Sequence, residues 1–187
     1  MKPVSEMTRL ELACYIGAEF KRRNVLVVLS GGSCVSIYSS EKYVSGDLDF
    51  VNALFAKRNI IVQAMAALGF SEHNRYFKHP DTHFLVEFPP GPLGVGEEQV
   101  KRIDEVETAV GSVRIISPTD CIKDRLSWFY HSNDRQCLEQ AVLVAQDNPV
   151  DLSEIRRWSE HEGKLAEFEQ IKPQLRQRQG GRPAPAR

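Results

Sequence analysis

Apolar residues along the chain recur at helical spacing, in unbroken runs or in alternation, and each pattern predicts an element. Met7, Cys14, Ile16 and Phe20 recur near helical spacing behind a Thr8 and Glu11 capping-box pair, which predicts a first helix over about residues 6 to 22, ended by Asn24. Val25 to Leu29 is an unbroken aliphatic run that stops at Ser30-Gly31-Gly32, as a strand covered on both faces and closed by a tight turn would. Ser33 to Ser40 reads as a short helix. Leu48, Phe50 and Val51 surround two aspartates in a second strand, and Ile60, Ile61, Ala64, Met65 and Leu68 form an amphipathic helix closed by Gly69. Phe84, Val86 and Phe88 alternate with His83, Leu85 and Glu87, the period-2 mark of a third strand, which Pro89-Pro90-Gly91 stops.

Val106 to Val110 and Val113 to Ile116, joined through Gly111-Ser112, read as a hairpin or a pair of short strands, and Gly91 to Gly96 as a mobile loop. From Thr119 to about Leu175 the pattern is helical, broken near Ser132-Asn133 and Asn148-Pro149. No internal repeat is visible. The fold class is therefore α/β (α+β), with a strand-rich core over residues 1–117 and a helical C-terminal part over 118–172 packed on it. Residues 173–187 form a basic tail too poor in apolar side chains to fold and are expected to be disordered.

A chain of 187 residues and 21.2 kDa suits one domain with a helical appendage, and 42% hydrophobic against 26% charged residues is the mixture of a soluble globular protein. No apolar run approaches the ~18 residues of a membrane span. Glu6, Arg9 and Glu11 interrupt the first apolar stretch, so no signal peptide is expected and the expected location is cytoplasmic. The net charge of −1 conceals an asymmetry: Lys172 to Arg187 holds five basic and no acidic residues, which leaves 19 basic against 25 acidic in the rest. Such a tail suits an acidic partner, a nucleic acid or simple solubility. Cys14, Cys34, Cys121 and Cys137 are widely spaced without a C-x-x-C pair, the pattern of structural free thiols.

The chemistry concentrates at Leu29-Ser-Gly-Gly-Ser33, followed after thirteen residues by Asp47-Leu-Asp49-Phe50. Aspartates two apart on a strand share a face, so Asp47 and Asp49 can bind one or two divalent cations, and hard oxygen ligands suit Mg²⁺ (or Mn²⁺). Gly31 and Gly32 allow backbone to approach a phosphate closely, while Ser33 and the following helix start offer hydrogen-bond donors. His79 and His83 have i, i+4 spacing, but Pro80 disfavours the helix that zinc binding would need. Trp128-Phe129-Tyr130 is expected to pack helix against sheet, and Asp134 to cap the next helix.

Strand, Gly-Gly-Ser, short helix and Asp-Leu-Asp-Phe together resemble the signature of the DNA polymerase beta-like nucleotidyltransferase superfamily. The resemblance implies a nucleotidyltransferase fold, a mixed β-sheet flanked by helices, with Glu87 as the third carboxylate. The stretch Ser117-Pro-Thr-Asp-Cys-Ile-Lys-Asp-Arg-Leu126 is similar to the helix after the catalytic sheet in minimal nucleotidyltransferases of the AbiEii and MenT toxin type. It implies that Lys123 contacts the nucleotide's phosphates, with Arg125 or Arg135 assisting. Lys78 is the candidate for the toxins' other phosphate-binding lysine.

The expectation is metal-dependent transfer of a nucleoside monophosphate from a nucleoside triphosphate to an acceptor hydroxyl on RNA or a tRNA end, a protein or a small molecule. The resemblance extends this to the toxin of a toxin-antitoxin pair, with an antitoxin as partner. In that scheme Asp47, Asp49 and Glu87 hold the metal and do the chemistry, and Gly31, Gly32, Ser33 and Lys123 bind phosphate. A non-catalytic module of the same fold that binds nucleotide or a protein partner is the alternative.

Overall fold

The computed structural model describes residues 2–176. The Thr8 hydroxyl accepts the Glu11 amide while the Glu11 carboxylate takes the Thr8 N–H, and this reciprocal cap starts α1 (Arg9–Arg22). Glu6 belongs to a separate short 3-10 turn, so the helix begins three residues later than the spacing predicts. β1 (Val27–Ser30) leads straight into α2 (Gly31–Tyr38), whose first turn is made by Gly31, Gly32 and Ser33, earlier than predicted. β2 (Asp47–Asn52) alternates along its length: Leu48, Phe50 and Asn52 are buried, while Asp47, Asp49 and Val51 keep partial exposure. α3 (Arg58–Ala67) follows.

Next comes a hairpin that the apolar pattern does not announce, β3 (Ser71–His73) and β4 (Tyr76–Lys78), then β5 (Leu85–Glu87). The expected mobile loop at Gly91 to Gly96 contains part of a second small hairpin, β6 (Gly94–Val95) with β7 (Glu98–Gln99). β8 (Ile103–Thr108) and β9 (Gly111–Ile116) form the predicted hairpin, but the chain reverses at Ala109-Val110 and Gly111-Ser112 opens the returning strand.

The C-terminal part comprises α4 (Pro118–Ser132), α5 (Arg135–Asp147), α6 (Leu152–His161) and α7 (Leu165–Leu175). Ser117, Asp134 and Asp151 cap the first three by accepting backbone N–H groups of the opening turns. A further break near Gly163, where φ is +69, is one the apolar pattern does not predict. α7 ends at Leu175, where the helical pattern ends, and so takes in residues 173–175 of the expected tail, with Leu175 fully buried. Residues 177–187, most of the expected basic tail, lie outside the described residues.

Seven strands form one mixed sheet in the order β3-β4-β5-β2-β1-β9-β8, with β1 parallel to β9, β2 parallel to β5 and the other pairs antiparallel. Behind the aspartate face, Phe88 meets Phe20, Phe50 and Phe77 at ring-centroid distances of 5.1, 5.6 and 5.5 Å, which packs α1 onto the sheet. Each such ring taken out of water stabilises the fold by roughly 2 kcal/mol. α2 lies against β2, α4 and α5 and so joins sheet to helical part. Among the described residues no helix is long and apolar enough to cross a membrane.

Candidate active site

Alternation along β2 turns Asp47 and Asp49 to one face, and the parallel register of β5 sets Glu87 opposite Asp49. One oxygen from each of the three carboxylates lies within 4.8 Å of the others. Among the described residues this is the one group of three side chains with metal-binding potential; His79 and His83 belong to no such group. Three hard oxygen donors fit Mg²⁺ or a similar cation that keeps waters and phosphates as its remaining ligands.

The β1–α2 junction is built around these carboxylates. Ser30 pairs with Asp49, and Gly31, at φ +65, turns the chain beneath it. A Cβ at Gly31 would press into Asp49 Oδ2, and one at Gly32 would stand 2.9 Å from Ser45 Oγ. Both glycines therefore serve close approach, as the sequence suggests, but what approaches them in the structure is the protein itself. Ser33 is buried and its hydroxyl donates to the Asp47 carbonyl; Ser45 Oγ donates to Asp47 Oδ1 at 3.0 Å, and the Ser45 amide donates to Ser36 Oγ. Three serines thus fix Asp47, and what Ser33 leaves for a ligand is its backbone N–H. No side chain caps α2, so the first-turn N–H groups keep the donor capacity of an uncapped helix start.

Burial, together with the charges of Asp47 and Glu87, raises the Asp49 carboxyl to about 7. Arg125 opposes that rise from α4. Its guanidinium is bound to Asp124 and donates to Gln140 Oε1 at 3.3 Å. The second nearby cation is Arg75, on the β3–β4 turn, with Nε 3.5 Å from Glu87 Oε2. Sequence reasoning missed Arg75 and its neighbour Tyr76. The available signal was Asn74-Arg75 followed by Tyr-Phe-Lys, a turn and a short alternating strand.

Lys123 departs from its expected place. Its ammonium is buried between Asp120 Oδ1 at 2.8 Å and Glu154 Oε1 at 3.2 Å, so its partners are carboxylates on α4 and α6. Arg125 is the cation of that helix whose charge reaches Asp49. Lys78 is exposed on β4, and Arg135 opens α5. Tyr130 packs helix on helix and not against the sheet as expected, stacked on Trp158 of α6 at 5.9 Å and hydrogen-bonded to Ser159, and Trp128 is 56% exposed. All four cysteines are buried free thiols, and burial pushes those of Cys34 and Cys121 up. A separate hollow of about 630 Å³ opens at the starts of α4 and α6, lined by Asp104, Asp120, Asp151 and Glu154; none of the three site carboxylates borders it.

The chain matches no known protein-family profile and no curated protein. Its shape does match solved structures. An antigenic nucleotidyltransferase-like protein from Paracoccidioides brasiliensis superposes with a TM-score of 0.64 at 14% identity, over 89% of this chain and 92% of that one. ANT(2'')-Ia in complex with adenylyl-2''-tobramycin superposes with a TM-score of 0.51 at 17% identity, over 89% of this chain and 99% of that one. At such identities the likeness is one of architecture, and it is nearly full-length on both sides: the chain has a nucleotidyltransferase fold.

Proposed function

We propose that the protein transfers a nucleoside monophosphate from a nucleoside triphosphate to an acceptor hydroxyl, with Mg²⁺ or Mn²⁺ held by Asp47, Asp49 and Glu87. The observation that carries this reading is the convergence of three carboxylates within 4.8 Å beside a helix start that no side chain caps. The solved complex of ANT(2'')-Ia with adenylyl-2''-tobramycin, on the same architecture, supports it.

A divalent cation at such a site supplies positive charge to the triphosphate and acidifies a coordinated hydroxyl. In the proposed reaction the acceptor oxygen bonds to the α-phosphorus, the bond from that phosphorus to the β-bridging oxygen breaks, and pyrophosphate leaves. The backbone N–H groups of Gly31, Gly32 and Ser33 receive oxygens of the β- and γ-phosphates. Glu87, partly exposed beside Asp49, takes the hydroxyl proton. Arg125 limits the mutual repulsion of the carboxylates, a role closer to the chemistry than the buried Lys123 ion pair allows that lysine. Catalysis of this kind rests on positioning and charge stabilisation.

Calorimetric titration with each of the four ribonucleoside triphosphates in Mg²⁺ tests the reading. Binding to the wild type that Asp47→Ala/Asp49→Ala loses, with the fold intact by circular dichroism, is the expected result. Folded wild type that binds none of the four would overturn nucleotidyl transfer and favour a partner-binding module.

A further inference from the structure

The β3–β4 hairpin reverses at Asn74 and Arg75, with Asn74 in the left-handed region at φ 58, and the pairing of Tyr76 with Glu87 delivers the turn to the edge of the carboxylate group. Arg75 is held loosely there. Its guanidinium carbon sits 4.7 Å from the Tyr76 ring centroid, one terminal N–H donates to the Tyr76 hydroxyl, and Nε faces Glu87 across 3.5 Å without a hydrogen bond. The side chain is 67% exposed. Arg125, by contrast, has its guanidinium engaged by Asp124 and Gln140. Of the two cations beside the carboxylates, Arg75 is the one with donors still free to turn toward a ligand.

Building on the nucleotidyl-transfer reading, we infer that Arg75 exchanges partners. In the free protein it balances the charge of Glu87 and, at longer range, Asp47; in the nucleotide-loaded protein it moves on its Tyr76 platform to the phosphoryl group that is to be transferred. The physical reasons are three. Engagement of Glu87 by a cation cancels the attraction that holds Arg75 beside it, and the triphosphate brings in negative charge at the same moment. A guanidinium presents a planar fork of N–H donors that matches two phosphate oxygens at once, which an ammonium cannot. A phosphate brought up to Glu87 also arrives within the span of the guanidinium already there, 3.5 Å away.

The exchange makes two measurements move in opposite directions, which a purely structural role for the hairpin would not do. Titration with Mn²⁺ alone should bind about threefold tighter to Arg75→Ala and Arg75→Gln than to wild type, because an exposed neighbouring cation is gone. The best-bound of the four ribonucleoside triphosphates, in saturating Mn²⁺, should bind about tenfold more weakly to the same variants, because a charge-assisted contact is lost. Arg75→Lys should restore the Mn²⁺ affinity of wild type without restoring nucleotide affinity. Both affinities falling together, or neither changing, would overturn the exchange while leaving the transfer reading in place. Wild type that binds Mn²⁺ but no triphosphate would overturn both.

Discussion

Gly31 lies directly beneath the Asp49 carboxylate, so close that a single methyl group at Gly31 would overlap Oδ2. The same residue adopts φ +65, a conformation that costs a side-chain-bearing residue about 1–2 kcal/mol. Gly31→Ala is therefore expected to lose about 1–3 kcal/mol in denaturant unfolding and, by displacing Asp49, to lower the transfer rate at least about 10²-fold. A Gly31→Ala variant with wild-type nucleotide binding and turnover would show that the junction does not set the carboxylate's position.

Asp49 gives the stability a pH signature. Its carboxyl titrates near 3.8 in an unfolded chain and at about 7 in the folded one, so between those values the folded state binds the extra proton. Stability from this group is fully present below about pH 4, falls as pH rises to about 7, and stays lost above. Asp49→Asn should leave unfolding near pH 4 almost unchanged and stabilise the metal-free protein at pH 8 by on the order of 2 kcal/mol. Equal effects at the two pH values would contradict the burial and crowding that raise this carboxyl.

Lys123 separates two accounts of one side chain. With its ammonium buried against Asp120 and Glu154, Lys123→Met leaves a buried carboxylate without its cation and should cost about 3–5 kcal/mol in urea unfolding. Combining it with Asp120→Asn should recover part of that loss. Unchanged stability together with abolished triphosphate binding would instead return Lys123 to the phosphate role that the resemblance implies.

The parts legible in the sequence are those whose signal is local. Thr8 with Glu11 announces α1, and the alternation of Asp47-Leu-Asp-Phe announces both a strand and a shared carboxylate face. The β3–β4 hairpin is silent because each strand has three residues and β3 is exposed throughout, so no apolar periodicity develops. Arg75 matters only through the pairing of Tyr76 with Glu87, eleven positions further along. The carboxylate of Glu154 that Lys123 meets lies 31 positions away on a helix whose approach no spacing rule encodes.

Hydrogen bonds, that of Trp158 buried, tie the helical part to the strand-rich part. Trp158 Nε1 donates to the Val95 carbonyl at 3.3 Å, Glu162 accepts the Glu97 amide, and Tyr38 at the end of α2 donates through its hydroxyl to Ile116 and accepts Asn148 through its carbonyl. Residue 117 therefore marks a change of secondary structure with hydrogen bonds running across it. Truncation there would uncover Val95, strip the cover from α2 and remove the α4 guanidinium that tempers Asp49. An activity assay on the first 117 residues alone would therefore report on a chain stripped of these contacts as much as on the chemistry of its three carboxylates.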